Sequence, residues 1–135
     1  VGVSSIAGYK GLPGRTGYSS SKFAMNGFLE ALRVENLKTG LHVMIASPGF
    51  TASNIRKVAL VKDGSAQGET SMVEEKMMSA EEVAEQIAQG VENSSRTLVM
   101  TFQGKLTVFL SKWLPKLLDK LVYNHFTKEK DPLIR

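Results

Sequence analysis

The run Leu41-His42-Val43-Met44-Ile45-Ala46 constrains the fold more than any other stretch. It is almost wholly apolar and carries β-branched residues at Val43 and Ile45. Polar and apolar positions do not alternate, so a strand here is buried on both faces. Such a strand belongs to a parallel sheet with helices above and below it. Thr39-Gly40, just before the run, reads as a helix stop, and Pro48-Gly49, just after it, forces a turn.

The flanks fit that scheme. Val1, Gly2 and Val3 read as a strand ending at Ser4 and Ser5. A glycine-rich loop follows, with Gly8, Gly11, Pro13, Gly14 and Gly17. Phe23, Ala24, Gly27, Phe28, Ala31, Leu32 and Glu35 then recur at helical spacing, which predicts a helix to about Lys38. Ser79 with Glu81 and Glu82 marks a second helix start. Val83, Ala84, Ile87, Ala88 and Val91 form its expected buried stripe, to about Asn93. Residues 96–101 read as another strand. Strand, helix, strand, loop, helix, strand is an α/β repeat, with right-handed crossovers expected.

Composition narrows the function. There is no cysteine, which excludes a disulfide framework, a thiolate metal site and a cysteine nucleophile. His42 and His125 lie far apart, so no metal site is expected, and His42 reads as structural. No apolar run is long enough to span a bilayer, and no signal peptide is visible. The net charge is +4. Residues 1–103 carry ten basic and ten acidic groups, and residues 104–135 carry seven and three, 7 − 3 = +4. The excess sits in the tail, which argues against a general nucleic-acid-binding face.

Ligands in open α/β sheets sit beyond the carboxyl ends of the strands. Ser5 and Ser47-Pro48-Gly49 lie at two such ends. Tyr18 and Lys22 stand at i and i+4 near a helix start, so they share one face. A free phenol titrates near ~10 and is a sluggish acid–base group at neutral pH. A neighbouring ammonium and the helix N-terminus favour the phenolate. Moving a phenol by roughly three units takes about 4 kcal/mol, which a cation in a partly dry cleft can supply. Taken singly, Ser5 reads as a serine that caps a turn, and Tyr18 and Lys22 as a surface pair. Their joint spacing is what points to proton transfer, with Ser5 holding a substrate oxygen.

Ser5, thirteen positions before Tyr18-Ser19-Ser20-Ser21-Lys22, resembles the catalytic core of the short-chain dehydrogenase/reductase family. Ser47-Pro48-Gly49-Phe50-Thr51-Ala52-Ser53 resembles that family's P-G-x-V-x-T segment, with Thr51 in place of the usual valine and Ser53 in place of threonine. The resemblance runs from Val1 to about Thr101. It implies the C-terminal half of a Rossmann-like, doubly wound parallel sheet, followed by a helical tail. It implies a nicotinamide cofactor, NADP or NAD with NADP favoured, and a carbonyl or alcohol substrate. Tyr18 would exchange the proton, Lys22 would assist it and bond the nicotinamide ribose, and Ser5 would hold the substrate. Tyr18, Lys22, Pro48, Gly49, Thr51 and Ser53 would contact the cofactor, the Thr51 backbone meeting the nicotinamide amide and Ser53 the pyrophosphate region. The family's glycine-rich dinucleotide turn and its catalytic asparagine do not occur here. The expectation is therefore a C-terminal half of a longer protein, inactive alone, aggregation-prone or paired with another copy.

The domain scheme is a Rossmann half over residues 1–103 and an amphipathic tail over 104–135. Within the first, 54–78 is a substrate loop, with a short helix at 55–61. Met72, Met77 and Met78 suit a hydrophobic substrate or fill core gaps. In the tail, Leu106, Phe109, Leu110, Trp113, Leu114, Leu117, Leu118, Leu121 and Val122 make a broad apolar face. Lys112, Lys116 and Lys120 make another, and Pro115 should kink or restart the helix. That face could cover the domain's own groove, a dimer mate, or a membrane surface through residues 104–126. Residues 128–135 read as a frayed end. The location expected is the cytoplasm, with membrane association open. The competing reading is a non-catalytic oligomerisation or membrane-surface module that keeps the fold.

Overall fold

The computed structural model describes residues 1–52, 64–65 and 77–127. The expectations for Ser53, the helix at 55–61, Met72 and the end at 128–135 lie outside the described residues. The described chain runs β1 (Gly2–Val3), a 3₁₀ turn (Ile6–Gly8), α1 (Thr16–Glu35), β2 (Ile45–Ser47), α2 (Ala80–Glu92), β3 (Thr97–Val99), α3 (Phe102–Trp113) and α4 (Pro115–Phe126).

The three strands form a parallel sheet in the order β1-β2-β3. Gly2 pairs with Ile45 and Val3 with Ala46, while Ile45, Ala46 and Ser47 pair with Thr97, Leu98 and Val99. Helices cover both faces of β2. A Cβ on Gly2 would lie 2.2 Å from Leu29 of α1. A Cβ on Gly90 of α2 would lie 2.9 Å from Met44 and 3.2 Å from Leu98. Gly2 and Ile45 share one face of the pleat, and Met44 and Leu98 share the other. The two helices therefore sit on opposite faces, the doubly wound arrangement that the family resemblance implies. Met44, Ile45, Ala46 and Ser47 are at most 1% exposed.

Boundaries shift for identifiable reasons. The β2 ladder begins at Ile45, later than the apolar run, because Arg33 of α1 reaches in. Its guanidinium donates to the carbonyls of Val43 and Arg96, at 3.1 and 2.7 Å. The first helix stops at Glu35, short of Lys38. There the Asn36 side chain donates to the Leu32 carbonyl at 2.9 Å, and Gly40 turns the chain at φ +77°. α2 opens with a full capping box, in which Ser79 and Glu82 exchange bonds of 3.0 and 2.8 Å. Its expected stripe is corrected: Gly90 is buried, Val83 and Ile87 are half-buried, and Ala84, Ala88 and Val91 face outward. His42 bonds the Ser95 carbonyl through Nε2 at 3.0 Å, tying the start of β2 to that of β3.

The tail starts at Phe102, where the Thr101 hydroxyl caps α3 by accepting from the Gly104 amide at 3.1 Å. Leu114 breaks the helix and Pro115 opens α4 at its first position. The broad apolar face is split: Leu110 and Leu118 are buried, while Leu106, Phe109, Trp113, Leu114, Leu117 and Leu121 are exposed.

Candidate active site

Parallel pairing fixes which residues meet at the carboxyl end of the sheet. Val3 pairs with Ala46, so Ser5 and Pro48 each lie two residues beyond the paired positions. Ser5 and the Pro48-Gly49 turn therefore leave adjacent strand ends. Ser5 is extended, at φ −161° and ψ 164°, and caps the 3₁₀ turn. Its Oγ accepts from the Ala7 amide at 3.2 Å. That bond uses an acceptor site and leaves the hydroxyl proton for another oxygen.

The loop after Ser5 is held on α1 by close packing and two hydrogen bonds. Asn26 Nδ2 donates to the Gly8 carbonyl at 3.0 Å, and the Leu12 amide donates to Ser19 Oγ at 3.2 Å. A Cβ on Gly8 would lie 2.7 Å from Asn26 Nδ2, 2.9 Å from the Lys22 carbonyl and 3.0 Å from Ser4 Oγ. Only glycine lets the turn rest against the helix there. Tyr18, Lys22 and Asn26 follow one another at i, i+4 and i+8, so Asn26 fastens the same face that carries the tyrosine and the lysine.

Tyr18 is half-exposed in the first turns of α1. The Lys22 ammonium lies 5.7 Å from the centre of its ring and donates to the Val3 carbonyl at 3.1 Å. One cation thus touches the strand that ends in Ser5 and stands over the phenol ring. It carries three donors, and the Val3 carbonyl takes one.

On the neighbouring strand end, the Thr51 hydroxyl donates to the Gly49 carbonyl at 3.1 Å. Thr51 forms a bridge with Met78, in which the Met78 amide donates to Phe50 at 2.8 Å and the Ala52 amide to Met78 at 2.9 Å. What approaches Gly49 closely is Thr101: a Cβ at Gly49 would lie 2.5 Å from its methyl. This glycine serves packing of the turn on the start of α3.

Four buried polar atoms, Ser4 Oγ, Ser47 Oγ, Tyr9 OH and Asn26 Oδ1, have no hydrogen bond of ordinary geometry among the described residues. Burial pushes the Tyr9 phenol up, and the nearby Ser47 hydroxyl pulls it down by less. Tyr9 and Asn26 escape the sequence reading, which placed Ser4 and Ser47 only at the strand ends. Asn26 left a signal there, as a polar side chain one turn beyond Lys22.

The residues suit the nicotinamide-ribose end of a dinucleotide. Lys22 has donors for ribose hydroxyls, Tyr18 is open to a ligand, and Pro48, Gly49 and Thr51 line the adjoining strand end. No glycine-rich phosphate turn occurs in the sequence to match the other end.

In a doubly wound α/β sheet ligands sit beyond the carboxyl ends of the strands, where Ser5 lies and where Lys22 reaches the Val3 carbonyl. The sequence model of the short chain dehydrogenase family matches residues 1–64. Mouse dehydrogenase/reductase SDR family member 7B is 30% identical over 131 residues, 96% of this chain and 41% of that protein. A Drosophila melanogaster dehydrogenase/reductase SDR family protein 7-like is 31% identical over 116 residues, 85% of this chain and 36% of its own. An uncharacterized oxidoreductase of Myxococcus xanthus (strain DK1622) is 47% identical over 55 residues, 41% of this chain and 22% of that protein. The chain belongs to the short-chain dehydrogenase/reductase family. It spans about two fifths of the length of the member 7B relatives it matches.

Proposed function

We propose that these residues form the proton-transfer side of an oxidoreductase that interconverts a carbonyl and an alcohol with NADP or NAD. The observation that carries the reading is the position of the Lys22 ammonium, over the Tyr18 ring and on the strand that ends in Ser5. In carbonyl reduction, Ser5 donates its hydroxyl proton as a hydrogen bond to the substrate oxygen and fixes its place. Tyr18 gives that oxygen a proton, and the Lys22 cation balances the phenolate left behind. Oxidation of the alcohol runs the same transfer backwards. The nicotinamide cofactor, when bound, supplies or accepts the hydride. Lys22 would bond its ribose, and Pro48, Gly49 and Thr51 would hold the nicotinamide.

The proposal gives residues 1–135 the nicotinamide end of the site only. Steady turnover by this chain alone, with NADPH and a panel of carbonyl compounds, is not expected. The half-buried Met78, whose sulfur lies 3.6 Å from a Cβ placed on Gly49, favours an apolar substrate, as does the half-buried Met77 next to it in the chain.

In the native enzyme Tyr18→Phe keeps the ring and removes the transferable proton. Turnover should fall by the order of 10²-fold or more, with cofactor affinity nearly unchanged. Turnover within a few-fold of the parent would remove Tyr18 from the chemistry.

A further inference from the structure

The helix α3 is turned with its apolar side outward. At about 100° per residue, Phe102, Leu106, Phe109 and Trp113 fall within an arc of roughly 60°. All four are exposed, Phe102 to 82%, Trp113 to 71% and Phe109 to 55%. The opposite arc holds Gly104, Thr107 and Ser111, and it is this side that packs inward, with a Cβ on Gly104 2.8 Å from Ile6 and 3.0 Å from Val99. Gly104, Thr107 and Ser111 therefore face the protein together with Leu110, while Phe102, Leu106, Phe109 and Trp113 face away.

The charges around that stripe have one sign. Lys105 and Lys112 lie along one side of it on α3, and Lys116 and Lys120 lie on the side of α4 opposite the buried Leu118. Asp119, the only acidic residue of the two helices, is engaged by Lys10 in an ion pair. Residues 102–126 thus carry four lysines against one carboxylate, 4 − 1 = +3.

We propose that the outer face of α3 lies flat on an anionic membrane surface. Its stripe would enter the headgroup layer, and its lysines would meet the lipid charges. No helix among the described residues is long and apolar enough to cross a membrane, so the contact is parallel to the surface. A second copy is the poorer occupant, because a two-fold contact through this face would bring both sets of lysines together without carboxylates to answer them. Trp113 closes the stripe, and tryptophan favours the interface between lipid and water.

Trp113 is the chain's single tryptophan, so its emission reports on this face alone. Phosphatidylcholine vesicles containing phosphatidylserine should shift its emission to the blue and shield it from acrylamide. Phosphatidylcholine alone should do so weakly, and salt should reverse the effect. The double change Lys105→Gln and Lys112→Gln should weaken binding roughly tenfold. Phe102→Ser with Phe109→Ser, both at exposed positions, should abolish it without moving the thermal midpoint. Emission unmoved by anionic vesicles overturns the proposal, as does binding indifferent to phosphatidylserine and salt. Shielding that grows with protein concentration in the absence of vesicles assigns the face to a second copy and also overturns it. No arm measures turnover, so the result stands apart from the oxidoreductase reading.

Discussion

The strands β2 and β1 bond to each other, yet their surroundings are opposite. Met44, Ile45, Ala46 and Ser47 are at most 1% exposed, whereas Val1 is 60% and Val3 47% exposed. β2 has a strand on each side and a helix on each face. β1 has β2 on one side and, among the described residues, the Lys22 side chain on the other. Val3 and Ile45 are both apolar and β-branched, so strand propensity does not separate them. What separates them is the number of neighbours, which local sequence does not encode. The proposed chemistry sits at the junction of the two: Ser5 leaves the less covered strand, and Pro48-Gly49 the fully covered one.

Substitutions can break that comparison. Met44→Ala should cost the most, about 2–5 kcal/mol in denaturant unfolding, because both the transfer energy and a cavity are at stake. A cost below about 1 kcal/mol would mean that β2 is not the centre of the core. Gly8→Ala should cost about 1–3 kcal/mol, since the new methyl meets the Lys22 carbonyl and cannot be relieved by a side-chain rotation alone. It should also lower turnover in the native enzyme by moving Ser5 relative to Tyr18. A fully active, equally stable Gly8→Ala protein would show that the turn need not rest on α1. Val3→Thr should change stability by no more than about 0.5 kcal/mol. A larger loss would mean that the Val3 side chain is covered in solution.

Much of this architecture was legible in the residues, and the exceptions share a cause. The unbroken run ending at Ala46 foretold a buried strand, because a short apolar segment without alternation suits a parallel strand covered on both faces. Ser79 with Glu82, and Pro115, marked helix starts by local chemistry that needs no distant partner. The tail's orientation stayed open in the residues, because periodicity shows that a stripe exists without saying which way it points. Leu106, Phe109 and Trp113 form the stripe that faces outward, and Gly104 and Ser111 took the inner side by fitting closely. At the site, the Tyr18 and Lys22 spacing was visible in one turn of helix. Asn26 acquires its role only when the loop folds back to bring the Gly8 carbonyl to it, eighteen residues upstream. The orphan hydroxyls of Ser4 and Ser47 likewise become neighbours of the site through the sheet.

The bond from Lys22 to the Val3 carbonyl has a consequence outside chemistry. Among the described residues no further strand pairs with the Val3 edge of β1, and there an ammonium seated on its carbonyl is a deterrent to strand-by-strand association. Replacing Lys22 with an uncharged residue would remove that guard along with the cation beside Tyr18. A Lys22 variant that loses activity could then be clumping rather than failing at proton transfer. Its kinetics are interpretable only beside light scattering on the same sample.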